Sequence, residues 1–194
     1  QGLSCLSARP ARLSTPAPPA LPQIFYPAPG FAAAFMASLH EYGFAAVVDH
    51  PLDGDRVARI YGEWLAFFSS GEAAGFRMDP VKQDGYFSLR EAEHAKGFVE
   101  RDFKEYFQFY LWGRCPESLQ VDLASHFDAA VELGAELLSC IARSLPEAVT
   151  TELTEPLRDM IQGSEQSMLR VLHYPPVPVG RPVLRAAPHE DINL

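Results

Sequence analysis

The sequence predicts an α+β protein, rich in helices over its first three quarters and strand-forming toward its end. Two changes of period carry this. Apolar residues recur at helical spacing at Phe31, Phe35, Leu39 and Tyr42, and again along Leu119, Leu123, Phe127, Val131, Leu138, Ile141 and Leu145. After Gly163 the period becomes two: Met168, Arg170, Leu172 and Tyr174 share one face, and Leu169, Val171 and His173 the other. Between Pro175 and Pro182 prolines interrupt the pattern, and Pro188 to Leu194 reads as the start of a further strand.

Taken in order, the first helix should end at Gly43, a suitable left-handed stop. Phe44 to Val48 reads as a short buried strand closed by Asp49, His50 and Pro51. A second helix begins near Asp55, with Asp53 or Asp55 as its cap and Val57, Ile60, Trp64, Leu65 and Phe68 facing the core. Residues 71–101 carry no clear period. Asp102 to Tyr110 is aromatic-rich and alternates imperfectly, as a strand. Ser118 to Leu145 is the strongest helical stretch, and a shorter helix is expected from Pro146 to Leu157.

Residues 1–30 hold seven prolines, two arginines and no acid, a composition that cannot bury a core and is expected to be disordered. The whole chain has 16 basic and 25 acidic side chains, net charge −9, which disfavours nucleic acid and anionic membranes as partners. No apolar run reaches the roughly 20 residues that span a bilayer. Three cysteines without C-x-x-C spacing (Cys5, Cys115 and Cys140) suggest no disulfide framework, and a reduced, cytoplasmic compartment is expected.

The sharpest chemical feature is His189-Glu190-Asp191. On a strand, residues two apart share a face, so an imidazole and a carboxylate would converge, a pair suited to Fe(II), Mn(II) or Zn(II). A surface hydrogen-bonded pair is the plain alternative, since so short a motif also arises by chance. Tyr174 is either a site residue or a core aromatic before a proline turn. Arg170 shares its face and could anchor a carboxylate or make a structural ion pair. His40, His50, His94, His126 and His173 read as surface or capping residues, and Trp64 and the aromatics at 103–110 as core.

Four segments, in order, carry a resemblance: His40-Glu-Tyr-Gly-Phe-Ala-Ala-Val-Val-Asp-His; Asp102-Phe-Lys-Glu-Tyr-Phe; Leu169-Arg-Val-Leu-His-Tyr-Pro-Pro; and Arg185-Ala-Ala-Pro-His-Glu-Asp-Ile-Asn-Leu. Together they resemble the N-terminal part of the isopenicillin N synthase-like and 2-oxoglutarate-Fe(II) dioxygenase family, over about 23–194. The resemblance implies a helical N-terminal region followed by the first strands of a truncated double-stranded β-helix (a jelly roll). The implied segments are a Pro/Ala-rich extension at 1–22, a helix-rich dioxygenase region at 23–162, and the start of the jelly-roll catalytic domain at 163–194.

The resemblance further implies that His189 and Asp191 bind iron, that Tyr174 lies near cosubstrate or substrate, and that Fe(II), 2-oxoglutarate, O2 and a small organic substrate are involved. Plant members carry Asn two residues before the Tyr of Tyr-Pro; Leu172 stands there instead. The family's second iron-binding His and its Arg-x-Ser would lie beyond Leu194. The chain is therefore expected to be part of a larger parent enzyme and inactive alone. Two other readings stay open: an acidic, helix-rich binding or remnant protein without catalysis, and a metal-dependent hydrolase.

Overall fold

The structure, a computed structural model, describes residues 20–92, 101–180 and 183–189. The chain divides into two compact units, with the boundary between Asp49 and His50.

In the first unit, strand β1 (Gln23–Phe25) and strand β2 (Ala46–Val48) pair in parallel, joined through helix α1 (Phe31–Tyr42). Gly43 adopts φ 73°, which side chains with a Cβ disfavour, and its N–H closes α1 on the Leu39 carbonyl at 2.9 Å. The expected strand starts two residues late. Phe44 is exposed, and its carbonyl accepts from Ser38 Oγ at 2.7 Å instead of entering the ladder.

The second unit is built around an antiparallel sheet in the order β3 (Gly85–Phe87), β4 (Glu105–Phe109), β5 (Leu169–His173), with helices α2 (Gly54–Ser70) and α3 (Glu117–Ala142) beside it. Asp53 caps α2, its Oδ1 accepting from the backbone of Asp55 at 2.9 Å and Arg56 at 3.1 Å. The buried residues of α2 are Ile60, Trp64 and Phe67; Leu65, expected inside, is 54% exposed. The buried face follows the i, i+4, i+7 row from Ile60, which leaves Leu65 on the flank.

A 3₁₀ turn (Glu72–Phe76) leads toward β3. Gly85 there has φ 101°, and a Cβ would meet the Phe76 carbonyl oxygen at 2.5 Å, so this approach of two backbones requires glycine. Strand β4 is covered on both sides, which explains its imperfect alternation: Tyr106 to Phe109 are all buried. Its register with β5 sets Glu105, Phe107 and Phe109 opposite His173, Val171 and Leu169, and Tyr106 and Gln108 opposite Leu172 and Arg170. The first set faces the helices. Trp64, Phe67, Phe107, Phe109, Leu123 and Phe127 form the core, with Leu169 and Val171 packed against it.

The helix expected over Pro146 to Leu157 is shorter. Helix α4 spans only Glu147–Thr150, and a 3₁₀ turn covers Leu157–Met160. The hydroxyls of Thr150 and Thr151 each donate to the Glu147 carbonyl at 3.0 Å, and Pro156 cannot continue the ladder. Residues 183–189 form no regular strand, so the run expected to begin at Pro188 is not a strand through His189; residues 190–194 lie outside the described residues.

Candidate metal and carboxylate site

The face of the sheet turned away from α2 and α3 is polar. Along the β4 segment every even position contributes to it: Asp102, Lys104, Tyr106 and Gln108, all buried. Tyr106 is flanked by Phe87 from β3, stacked at 4.6 Å, and by the Arg170 guanidinium from β5, 4.6 Å from its ring centre. With the Gln108 amide oriented by its hydrogen bonds, its oxygen accepts from Arg170 Nη2 at 2.7 Å and its nitrogen donates to the Gln83 carbonyl. Arg170 is therefore held on the polar face by an aromatic ring and an amide.

Asp102 ties the last described segment to this face. One carboxylate oxygen meets Lys104 Nζ at 2.9 Å and the other accepts from the Ala187 N–H at 3.0 Å. Phe103 N–H donates to the Leu184 carbonyl at 2.7 Å alongside. Burial pushes the Asp102 carboxyl upward, but the hydrogen bond from the Ala187 N–H and the neighbouring Lys104 ammonium outweigh it, and the group lies below its ordinary range. The chain is thus stitched to the edge of the polar face two residues before His189.

His189 Nδ1 lies 2.7 Å from the Ala187 carbonyl oxygen. A carbonyl only accepts, so Nδ1 carries a proton, and in the neutral imidazole this leaves Nε2 as the nitrogen that can bind a metal. This is the carbonyl-held arrangement that orients many metal-binding histidines. Among the described residues, no three His, Cys, Asp or Glu side chains group to hold a metal, and Asp191 lies outside those residues. The donor chemistry at His189 fits a divalent cation as one ligand of a larger set.

Tyr174 is half-buried and follows β5 by one residue, while Arg170 lies within the strand. His173, expected at the surface, is half-buried on the opposite face, its ring stacked on Phe68 at 5.4 Å. Sequence reading missed Asp102, Lys104 and Gln108. Their signal was the run of polar groups at every second position of a strand otherwise rich in aromatics.

No protein-family model matches the chain, and no curated protein matches it. Solved structures do. A candidate oxygenase from Shewanella oneidensis superposes with TM-score 0.79 and 40% identity, over 90% of this chain and 63% of that one. The fold is one found among oxygenases. A candidate 2OG-Fe(II) oxygenase family protein from Caulobacter crescentus follows at TM-score 0.60 and 24% identity, over 82% of this chain and 57% of that one. A full-length Neurospora crassa protein in complex with alpha-KG gives TM-score 0.54 and 17% identity, over 80% and 54%. The chain thus spans somewhat over half the length of each of these three structures. Among the described residues, no helix is long and apolar enough to cross a membrane.

Proposed function

We propose that the whole protein is a non-haem Fe(II)-dependent oxygenase that uses O2 and 2-oxoglutarate to oxidise a small organic substrate. The observation that carries this reading is the likeness, over 90% of the chain, to an oxygenase-type structure at 40% identity. The held Nδ1 of His189 supports it from the chemistry of the residue itself. In this reading the segment after Gly163 opens a jelly roll whose interior is the polar sheet face.

His189 and Asp191 hold the metal, completed by a further ligand outside the described residues, with positions left open for oxygen and substrate. Ferrous iron, when bound, supplies the site at which O2 is activated, with 2-oxoglutarate as the two-electron donor. The protein's own contribution is placement. Lys104 and Asp102 offset each other's charge at the edge of the face, and Arg170 presents a fixed guanidinium on it for a carboxylate. Tyr174 offers a hydroxyl to the same carboxylate.

The test is oxygen uptake by the whole protein with Fe(II) and 2-oxoglutarate supplied together and separately. Uptake and succinate formation that require both are expected; no uptake with both present, by folded protein, contradicts the reading. Tyr174→Phe is expected to raise the KM for 2-oxoglutarate roughly three- to tenfold with little change in melting temperature, because one hydroxyl hydrogen bond is lost. Unchanged kinetics would return Tyr174 to a packing role.

A further inference from the structure

On the helix side of the sheet, away from the polar face, lies a second arrangement that the oxygenase reading does not use. Glu105 on β4 receives two donors. Tyr86 Oη donates to Oε2, and His173 Nδ1 meets Oε1 at 2.7 Å. Burial, then the hydrogen bond to Glu105, raise the Tyr86 hydroxyl above its ordinary range, so it stays a donor. As a carboxylate, Glu105 can only accept, so Nδ1 of His173 carries a proton, and in the neutral imidazole the lone pair is then on Nε2.

His173 lines a cleft of about 380 Å³ together with Tyr61, Trp64, Leu65, Phe68 and Val171. Among the described residues, neither His173 Nε2 nor the buried Trp64 indole N–H has a hydrogen-bond partner. The volume falls within the range of small-molecule sites, and the walls are aromatic and aliphatic. With a neutral imidazole, the Glu105–His173 pair carries one negative charge. Such a cleft favours an uncharged ligand that donates a hydrogen bond and disfavours an anion.

We propose that this cleft binds a hydroxylated aromatic molecule of about two rings, its hydroxyl donating to His173 Nε2 and its rings lying against Phe68, Trp64 and Tyr61. Glu105 and Tyr86 act as positioning residues that fix the tautomer and orientation of the imidazole.

The probe is 1-naphthol, titrated into the whole protein and followed by tryptophan fluorescence, beside 1-methoxynaphthalene, which cannot donate, and 1-naphthoate, which is anionic. Naphthol is expected to bind roughly tenfold more tightly than the methoxy compound, the worth of one hydrogen bond in an apolar site. His173→Phe, which keeps the ring stack, should erase that difference. Excess 2-oxoglutarate should leave naphthol binding unaltered, which separates this cleft from the polar face. Equal affinity for naphthol and its methyl ether, preference for naphthoate, or no saturable binding overturns the proposal. The ligand comparison on the unaltered protein decides it even if the variant fails to fold.

Discussion

Phe107→Ala is expected to destabilise the second unit by about 3–5 kcal/mol, close to the loss of cooperative folding in a protein of ordinary stability. Phe107 has no exposed surface. Its ring lies 4.9 Å from that of Trp64, 5.9 Å from Phe67 and 6.5 Å from Phe76, so truncation opens a cavity where the sheet meets the helical side. The neighbours are large rings fixed on α2 and on the 3₁₀ turn that follows it, and they cannot readily collapse into the void. Leu65→Ala serves as the contrast. That side chain is 54% exposed, and its removal should change stability by only about 0.5 kcal/mol. Urea denaturation of both variants checks the ordering, and equal losses would show that the core has been misplaced.

Asp102→Ala should lose about 3 kcal/mol and, separately, weaken metal binding at His189. The carboxylate lies 2.9 Å from a buried ammonium and receives the Ala187 N–H, so its removal takes a close counter-charge from Lys104 in a low-dielectric site and frees the segment leading to His189. Changing Lys104 to Met in the same chain should restore part of the stability without restoring the tether. The pH dependence has a definite sign. The folded carboxyl lies below its unfolded range, so its stabilisation is present above the unfolded value and fades as pH falls through the folded one. Melting temperature should therefore drop on the acid side of about pH 4. In Asp102→Asn that part of the drop should be missing.

Much of this fold was legible because burial leaves periodic traces. The stop at Gly43, the cap at Asp53, the long α3 and the two faces of β5 all follow from spacing and turn chemistry. Leu65 was misjudged because a helix has flanks as well as faces, and only the partner surface decides which side is covered. Residues 71–101 carried no local period, and in the described part, 71–92, the order rests on long-range contacts. The backbone N–H of Arg114 donates to buried Asp84 at 2.8 Å, across 30 residues, and no local pattern announces such a bond. At the candidate site, His189 and Arg170 stood out by residue type and alternation. Asp102 and Lys104 did not, since a charged pair inside a strand-like run resembles a solvated edge until the covering segment at 183–189 is seen. His173 was set apart from Tyr174 by its opposite strand face, and there its ring packs on Phe68 and its Nδ1 meets Glu105.

In the proposed function His189 and Asp191 together hold ferrous iron. The direct measurement is anaerobic Fe(II) binding by the whole protein, compared with His189→Ala, Asp191→Ala, the double variant and Glu190→Ala, with folding verified by thermal melts. Each ligand variant is expected to lose at least about tenfold in affinity, the double variant to retain no stoichiometric iron, and Glu190→Ala to bind as the unaltered protein does, because a residue between two ligands spaced two apart is not required to face the metal with them. Stoichiometric iron retained by a folded double variant would contradict the assignment outright.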